Sequence, residues 1–200
     1  MKHPIYKLLP LITILCLAGC SKRNYFPDQD DPGLSRLTFY GFNIATNYIN
    51  DVPYINNYRK PLFGGIVNSV PSIYKIVTSS AFDTLSISWA IGINDNGNVQ
   101  FNSPYQNISL LMPVPKSFSL SDFIAMGGKR FSSNTRGILI NTPQNYSDKQ
   151  SGTSDIYFIK INLDTSHLSF TGLFDGNIGD SILITKGRFD FKIDADQIKF

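Results

Sequence analysis

Leu85-Ser86-Ile87-Ser88-Trp89-Ala90-Ile91-Gly92-Ile93 sets a large apolar side chain at every odd position and a small residue at every even one. Successive side chains of an extended chain point to opposite faces. A period of two therefore reads as a strand with Leu85, Ile87, Trp89, Ile91 and Ile93 on one face. Trp89, the only tryptophan, is read as a core residue rather than a ligand platform. Asn94-Asp95-Asn96-Gly97-Asn98 turns the chain, and Val99 to Phe101 returns as the hairpin partner.

Composition extends this reading to the whole chain. The 200 residues include no glutamate and six alanines, whereas Ser, Asn, Thr, Ile, Phe and Tyr are plentiful. That is poor helix stock and good strand-and-turn stock. Further strands are expected over Arg36–Ile44, Ile73–Thr78, Asn107–Met112, Arg136–Ile140, Asp155–Leu163, Leu168–Phe174 and Ser181–Ile193. The last three form a meander in which Tyr157, Ile159, Ile161 and Leu163 share one face, as do Phe189, Phe191 and Ile193. One short helix is expected at Ser121–Met126, with Ser121 as N-cap and Gly127 as C-cap. The fold class is all-β, an antiparallel β-sandwich of about 8–10 short strands in one domain over 34–200, with a closed lipocalin-like β-barrel as the alternative.

The first nineteen residues read as a secretory signal. Lys2 and Lys7 lead into the apolar run Leu8 to Leu17, which is interrupted by Pro10 and followed by Ala18-Gly19. The run is about half the ~20 apolar residues that span a bilayer. Leu17-Ala18-Gly19-Cys20 resembles the bacterial lipoprotein box, in which the signal is cut off before the cysteine and the thiol takes a diacylglycerol. The resemblance implies a membrane anchor through lipid on Cys20. Because Ser21 stands where an inner-membrane retention signal has Asp, it also implies an outer-membrane location. Residues 20–33, polar and punctuated by Pro27 and Pro32, are expected as a flexible tether with Asp28, Asp30 and Asp31 solvated. Fully stretched, the thirteen residues Ser21–Gly33 would reach about 40 Å.

Without the signal the chain carries 16 Lys and Arg against 15 Asp. No basic run is present to neutralise a phosphate track, so nucleic acid is not an expected partner. Cys20 is then the only cysteine left, which excludes an intrachain disulfide, a thiolate nucleophile and a cysteine metal site. No cofactor is expected.

Ile159-Lys160-Ile161, Leu168-Ser169-Phe170-Thr171-Gly172-Leu173-Phe174 and Ile184-Thr185-Lys186-Gly187-Arg188-Phe189-Asp190 are similar to the closing meander of uncharacterised small lipoproteins of the Bacteroidota. Those proteins also begin with a lipobox and a short polar tether. The resemblance implies envelope location and an all-β domain, and it carries no catalytic residues to transfer.

The candidate chemistry is thin. His167, the only histidine outside the signal, sits in an expected hairpin turn beside Ser166, and no nucleophile-elbow motif is present. Gly127-Gly128-Lys129-Arg130 lacks the spacing of a phosphate loop. Asp175, Asn177 and Asp180, and the run Asn94 to Asn98, lack the terminal glutamate of a calcium hand and read as turns. Asp83-Thr84-Leu85 and Asp180-Ser181-Ile182 resemble a short O-glycosylation acceptor pattern. Tyr48, Tyr54, Tyr58 and Arg59, among Asn and Asp, mix flat apolar faces with hydrogen-bonding groups as binding loops do. The expectation is a non-enzymatic envelope lipoprotein that binds a protein or glycan there. Two rivals stand beside it. An aspartate-based, glycosidase-like hydrolase would bring two aspartates together in one cleft, and a barrel that carries a small apolar ligand would show an interior cavity lined by Phe and Ile.

Overall fold

The computed structural model describes residues 25–57, 71–95, 98–100, 104–142 and 145–200. Its strands are β1 (Ile44–Ile49), β2 (Val52–Asn57), β3 (Ser72–Ile76), β4 (Phe82–Ala90), β5 (Gly92–Asp95), β6 (Asn98–Gln100), β7 (Asn107–Pro115), β8 (Lys129–Thr142), β9 (Asn145–Leu163), β10 (His167–Ile178) and β11 (Ile182–Asp194). All belong to one antiparallel sheet in the order β3-β4-β7-β8-β9-β10-β11-β1-β2-β5-β6. The expected all-β class holds, but the strands form one curled sheet, a half-barrel, rather than the two sheets of a sandwich.

The stretch Leu85–Ile93 bends the sheet into this curl. Leu85, Ile87, Trp89 and Ile91 are all buried, as period two requires. Yet the strand breaks at Ile91, whose N–H donates to Gln106 O at 2.8 Å. β4 pairs with β3 and β7, whereas β5 pairs with β2 and β6. One bent stretch thus stands near both ends of the sheet order and draws them together. Trp89 on β4 is four strands from β10, about 19 Å along a flat sheet at ~4.8 Å per strand. Its ring centroid nevertheless lies 5.4 Å from those of Phe174 on β10 and Phe191 on β11. The concave side is filled by these rings with Phe158, Phe170 and Phe189. Across β10 and β11, Gly172 opposes Phe189 and Phe174 opposes Gly187, and a Cβ on Gly172 would come 2.4 Å from the Phe189 ring. The missing side chains are what let the phenyl rings lie across the neighbouring strand.

The meander forms as expected, and Phe189, Phe191 and Ile193 face the core. The shared face of Tyr157, Ile159, Ile161 and Leu163 does not survive. Thr171 pairs with Lys160 but Gly172 with Phe158, so one extra residue bulges β9 at Ile159. A one-residue slip reverses the facing. Ile161 consequently opposes the buried Phe170, while Tyr157 opposes the outward Leu173.

The short helix α1 runs Leu120–Ile124, with Ser119 as N-cap and Ala125 as C-cap instead of Ser121 and Gly127. Ser119 and Asp122 make a reciprocal capping box, which fixes the start two residues early. Its Phe123 packs at 5.5 Å on both Phe158 and Phe170.

Two N-terminal expectations are corrected. Residues 36–43 are not a strand, because Gly41 (φ 68°) and Asn43 (φ 55°) take left-handed backbone. Nor is the segment from Tyr25 to Ser35 a free tether. Leu34 and Asp31 are buried, Pro27 bridges Ser35, and Asp28 N–H donates to Leu34 O at 2.9 Å. Arg188 on β11 donates to both Asp28 and Asp31, and Lys186 pairs with Asp31. The Asp30 N–H and the Arg188 guanidinium hold the Asp28 carboxyl below the ordinary aspartate value. The acidic cluster is an ion-paired clasp across β11.

Candidate functional site

The tyrosine site expected from the sequence is taken apart by a hairpin. Asn50 and Asp51 both have positive φ, 49° and 64°, the pattern of a two-residue type I′ turn joining β1 to β2. Tyr48 and Tyr54 therefore stand on strands, on opposite faces of the sheet. The Tyr48 hydroxyl donates to Pro32 O at 2.7 Å and so pins the N-terminal segment. Tyr54 is 2% exposed, with its ring 5.9 Å from that of Tyr105, and cannot offer a surface platform. Tyr58 and Arg59 lie outside the described residues.

An apolar recess lies where the sheet splits. β7 pairs with β8 only from Asn107 to Leu110, opposite Asn141 to Ile138. Beyond Leu110 it keeps β4 on its other side, while the first part of β8 pairs with β9. Pro113 and Pro115 bring no N–H to this part of β7, so the split leaves fewer donors unpaired than another sequence would. Helix α1 and the turns around it supply Phe118 and Met126 at one end. The result is a cleft of about 220 Å³. Its buried wall is Met112, Val114 and Ile156, and its mouth has the exposed Pro113, Pro115 and Ser132. Ser154, the buried hydroxyl in the lining, donates to Gly137 O at 2.7 Å. Among the described residues, no titratable side chain lines the cleft. Its lining is fitted to bury an apolar group. The available sequence signal was Met112-Pro113-Val114-Pro115, since alternate prolines continuing a strand mark an edge without a partner.

A second, polar groove of about 400 Å³ runs over β9, β10 and β11, lined by Thr153, Asp155, Asp175, Asn177 and Thr185 among others. Asp155 and Asp175 are direct cross-strand partners and so project from the same face. One Asp175 oxygen accepts the Lys186 N–H at 2.8 Å. Like charges set opposite each other destabilise a sheet pair, so the arrangement is not one that pairing energetics favours.

His167 also acquires partners. The Ser166 hydroxyl lies 2.7 Å from Nδ1, and Asp194 Oδ1 lies 3.3 Å from Nε2. Asp164 Oδ1 accepts the N–H groups of both Ser166 and His167, which lowers its carboxyl below the ordinary value. All four residues sit in or beside an exposed hairpin turn, with Asp164 and Asp194 half or more exposed. This is a solvated turn cap without the dry surroundings that make such a grouping reactive. Thr84 is half-buried within β4, and Ser181 is exposed in the β10–β11 turn. Among the described residues no three His, Cys, Asp or Glu side chains converge as metal ligands. No protein-family model, curated protein or solved structure matches this chain.

Proposed function

We propose that this chain is a membrane-anchored lipoprotein of the cell envelope, tethered at the outer membrane through lipid on Cys20, and that it is a non-enzymatic binding module. The ligand is a small apolar group taken into the cleft between β7 and β8. One observation carries the reading: an apolar cleft of about 220 Å³ opens beyond Leu110, where β7 leaves β8 and carries two prolines. It is larger than the engineered cavity of about 150 Å³ that accepts benzene. The first expectation, a Tyr-rich loop for a protein or glycan, loses support because Tyr54 is buried.

The methionines provide the test. Of the three, Met1 leaves with the signal, and Met112 and Met126 both line the cleft. In protein carrying ¹³C-methyl methionine, titration with 1-hexanol is expected to move both resonances together and to saturate. Burying about 150 Å² of alkyl surface at ~25 cal/mol per Å² yields ~4 kcal/mol, or half-saturation near 1 mM. Val114→Trp, which fills the cleft, is expected to abolish the shift. Two methyl signals that stay still up to the solubility limit would sink the reading.

A second reading, an aspartate-based hydrolase of glycosides, is favoured by the Asp155–Asp175 pair alone. Directly opposed strand residues have Cβ atoms about 4.5–5.5 Å apart, compatible with the ~5–5.5 Å carboxyl separation of retaining enzymes. Release of reducing sugar from isolated envelope glycans, falling on the order of 10²–10⁴-fold in Asp155→Asn, would establish it. A wild-type protein that releases none removes it, and Asp155→Asn should then stabilise the sheet by about 0.2–1 kcal/mol in urea unfolding.

A further inference from the structure

We infer that the loop Phe39–Phe42, together with Phe26, is a membrane-docking face that lays this domain against the bilayer carrying its anchor; the inference rests on the reading of Cys20 as lipidated. The chain length between anchor and domain is the first argument. The clasp at Asp28 and Asp31 and the bridge at Pro27 fix the chain from just after Tyr25, and Asn94 donates to the Tyr25 hydroxyl at 3.2 Å. Only five residue steps separate Cys20 from Tyr25, about 18 Å at most. Whatever surrounds Tyr25 and Phe26 is therefore held within that reach of the lipid headgroups.

What surrounds them is aromatic and exposed. Phe26, Phe39 and Tyr40 are 42%, 51% and 77% exposed. Phe42 joins them, with its ring 5.5 Å from both Phe26 and Tyr40. Phe26, Pro27, Leu37, Tyr40 and Phe42 line a mainly apolar recess of about 460 Å³, with the exposed Arg36 at its side. Aromatic rings beside a cation match the interfacial layer of a bilayer, where rings sit at headgroup depth and a guanidinium meets lipid phosphate.

The fold also holds these rings out in a fixed geometry. Asp190, 1% exposed, accepts the N–H groups of Tyr40, Gly41 and Phe42. Gly41 lies so close to β11 that a Cβ there would stand 2.6 Å from Lys192 Cβ. A buried carboxylate thus holds a loop whose large side chains remain exposed. Docking of those side chains accounts for both facts.

The lipidated protein is purified from its membrane and returned to phosphatidylethanolamine–phosphatidylglycerol vesicles whose acyl chains carry bromine, a contact quencher of tryptophan. Two variants are compared with wild type, whose Trp89 is buried. Tyr40→Trp probes the face. Leu183→Trp is the control, exposed at the far end of β11 and seven residues from Asp190, or about 20 Å. Acyl mass on Cys20 and vesicle flotation are recorded for each. The expected result is acylated protein that floats, with the added emission of Tyr40→Trp quenched at least about twofold and Leu183→Trp unchanged. Acylated, floating protein with the two variants quenched alike overturns the docking face and leaves the anchor standing. Unacylated protein that still floats with Tyr40→Trp quenched keeps the face and removes the anchor. Unacylated protein that does not float overturns both.

Discussion

Asp190→Ala is expected to lower unfolding stability by about 3–5 kcal/mol, because two hydroxyls and three backbone N–H groups lose their charged acceptor together. The carboxylate accepts from the Thr38 and Thr171 hydroxyls and from the backbone N–H groups of Tyr40, Gly41 and Phe42, at 3.0 to 3.4 Å for the backbone donors. Each donor left buried without an acceptor costs about 1–3 kcal/mol. The total stays well below the sum because the loop is half-exposed, so water replaces part of what is lost. Thr171, buried on β10, has the least access to water and sets the floor. Asp190→Asn keeps the shape but turns an amide NH₂ toward donors, so about half the loss is expected. For a chain of this length the alanine variant corresponds to a fall in Tm of roughly 6–20 °C. Urea unfolding followed by Trp89 emission reads the effect, and a loss below about 1 kcal/mol would show that the network does not hold the N-terminal segment.

Local pattern made the strands legible, and pairing hid the architecture. Period two identified the core face of Leu85 to Ile91 and of Phe189 to Ile193, and both are buried as read. Nothing in that period marks Ile91 as a bend, because Ile91 is buried whether the strand runs straight or changes neighbours. Whether strands close on themselves depends on which edges meet, and β2 with β5, or β1 with β11, join residues far apart in sequence. The bulge at Ile159 was equally hidden. A stretch in which every second residue is large does not reveal that one residue lacks a partner across the strand.

The site was less legible than the fold, for a related reason. Asn50-Asp51 between two apolar stretches was a hairpin signal, and reading it as part of a binding loop placed Tyr54 on the surface. The N-terminal acids read as solvated because their partners, Lys186 and Arg188, lie 155 and 160 residues further on. The apolar cleft arises from an interrupted pairing, and only the alternate prolines after Met112 announced it.

Trp89→Ala is expected to cost about 3–5 kcal/mol, toward the upper end of that range. Its indole touches Phe174, Phe189 and Phe191 at centroid distances of 5.4 to 6.4 Å. Two of those rings, Phe174 and Phe189, are anchored over Gly187 and Gly172 on the neighbouring strand, so they collapse poorly into the space that alanine leaves. The position also ties β4 to β10 and β11, four and five strands away in the sheet. Its loss therefore weakens the curl as well as the packing around one side chain. Trp89→Phe separates the two contributions. Phenylalanine keeps a ring across the gap and removes an indole Nε1 that has no acceptor among the described residues. About 1–2 kcal/mol is expected for it, the volume loss being partly offset by the relief of a buried donor. Because both variants lose the native fluorophore, unfolding is followed by far-ultraviolet circular dichroism. Phenylalanine as damaging as alanine would mean that the indole itself, not an aromatic ring bridging the two arms of the sheet, sets the stability of the curl. Alanine costing less than about 2 kcal/mol would assign closure to the strand pairings of β5 with β2 instead of to the core.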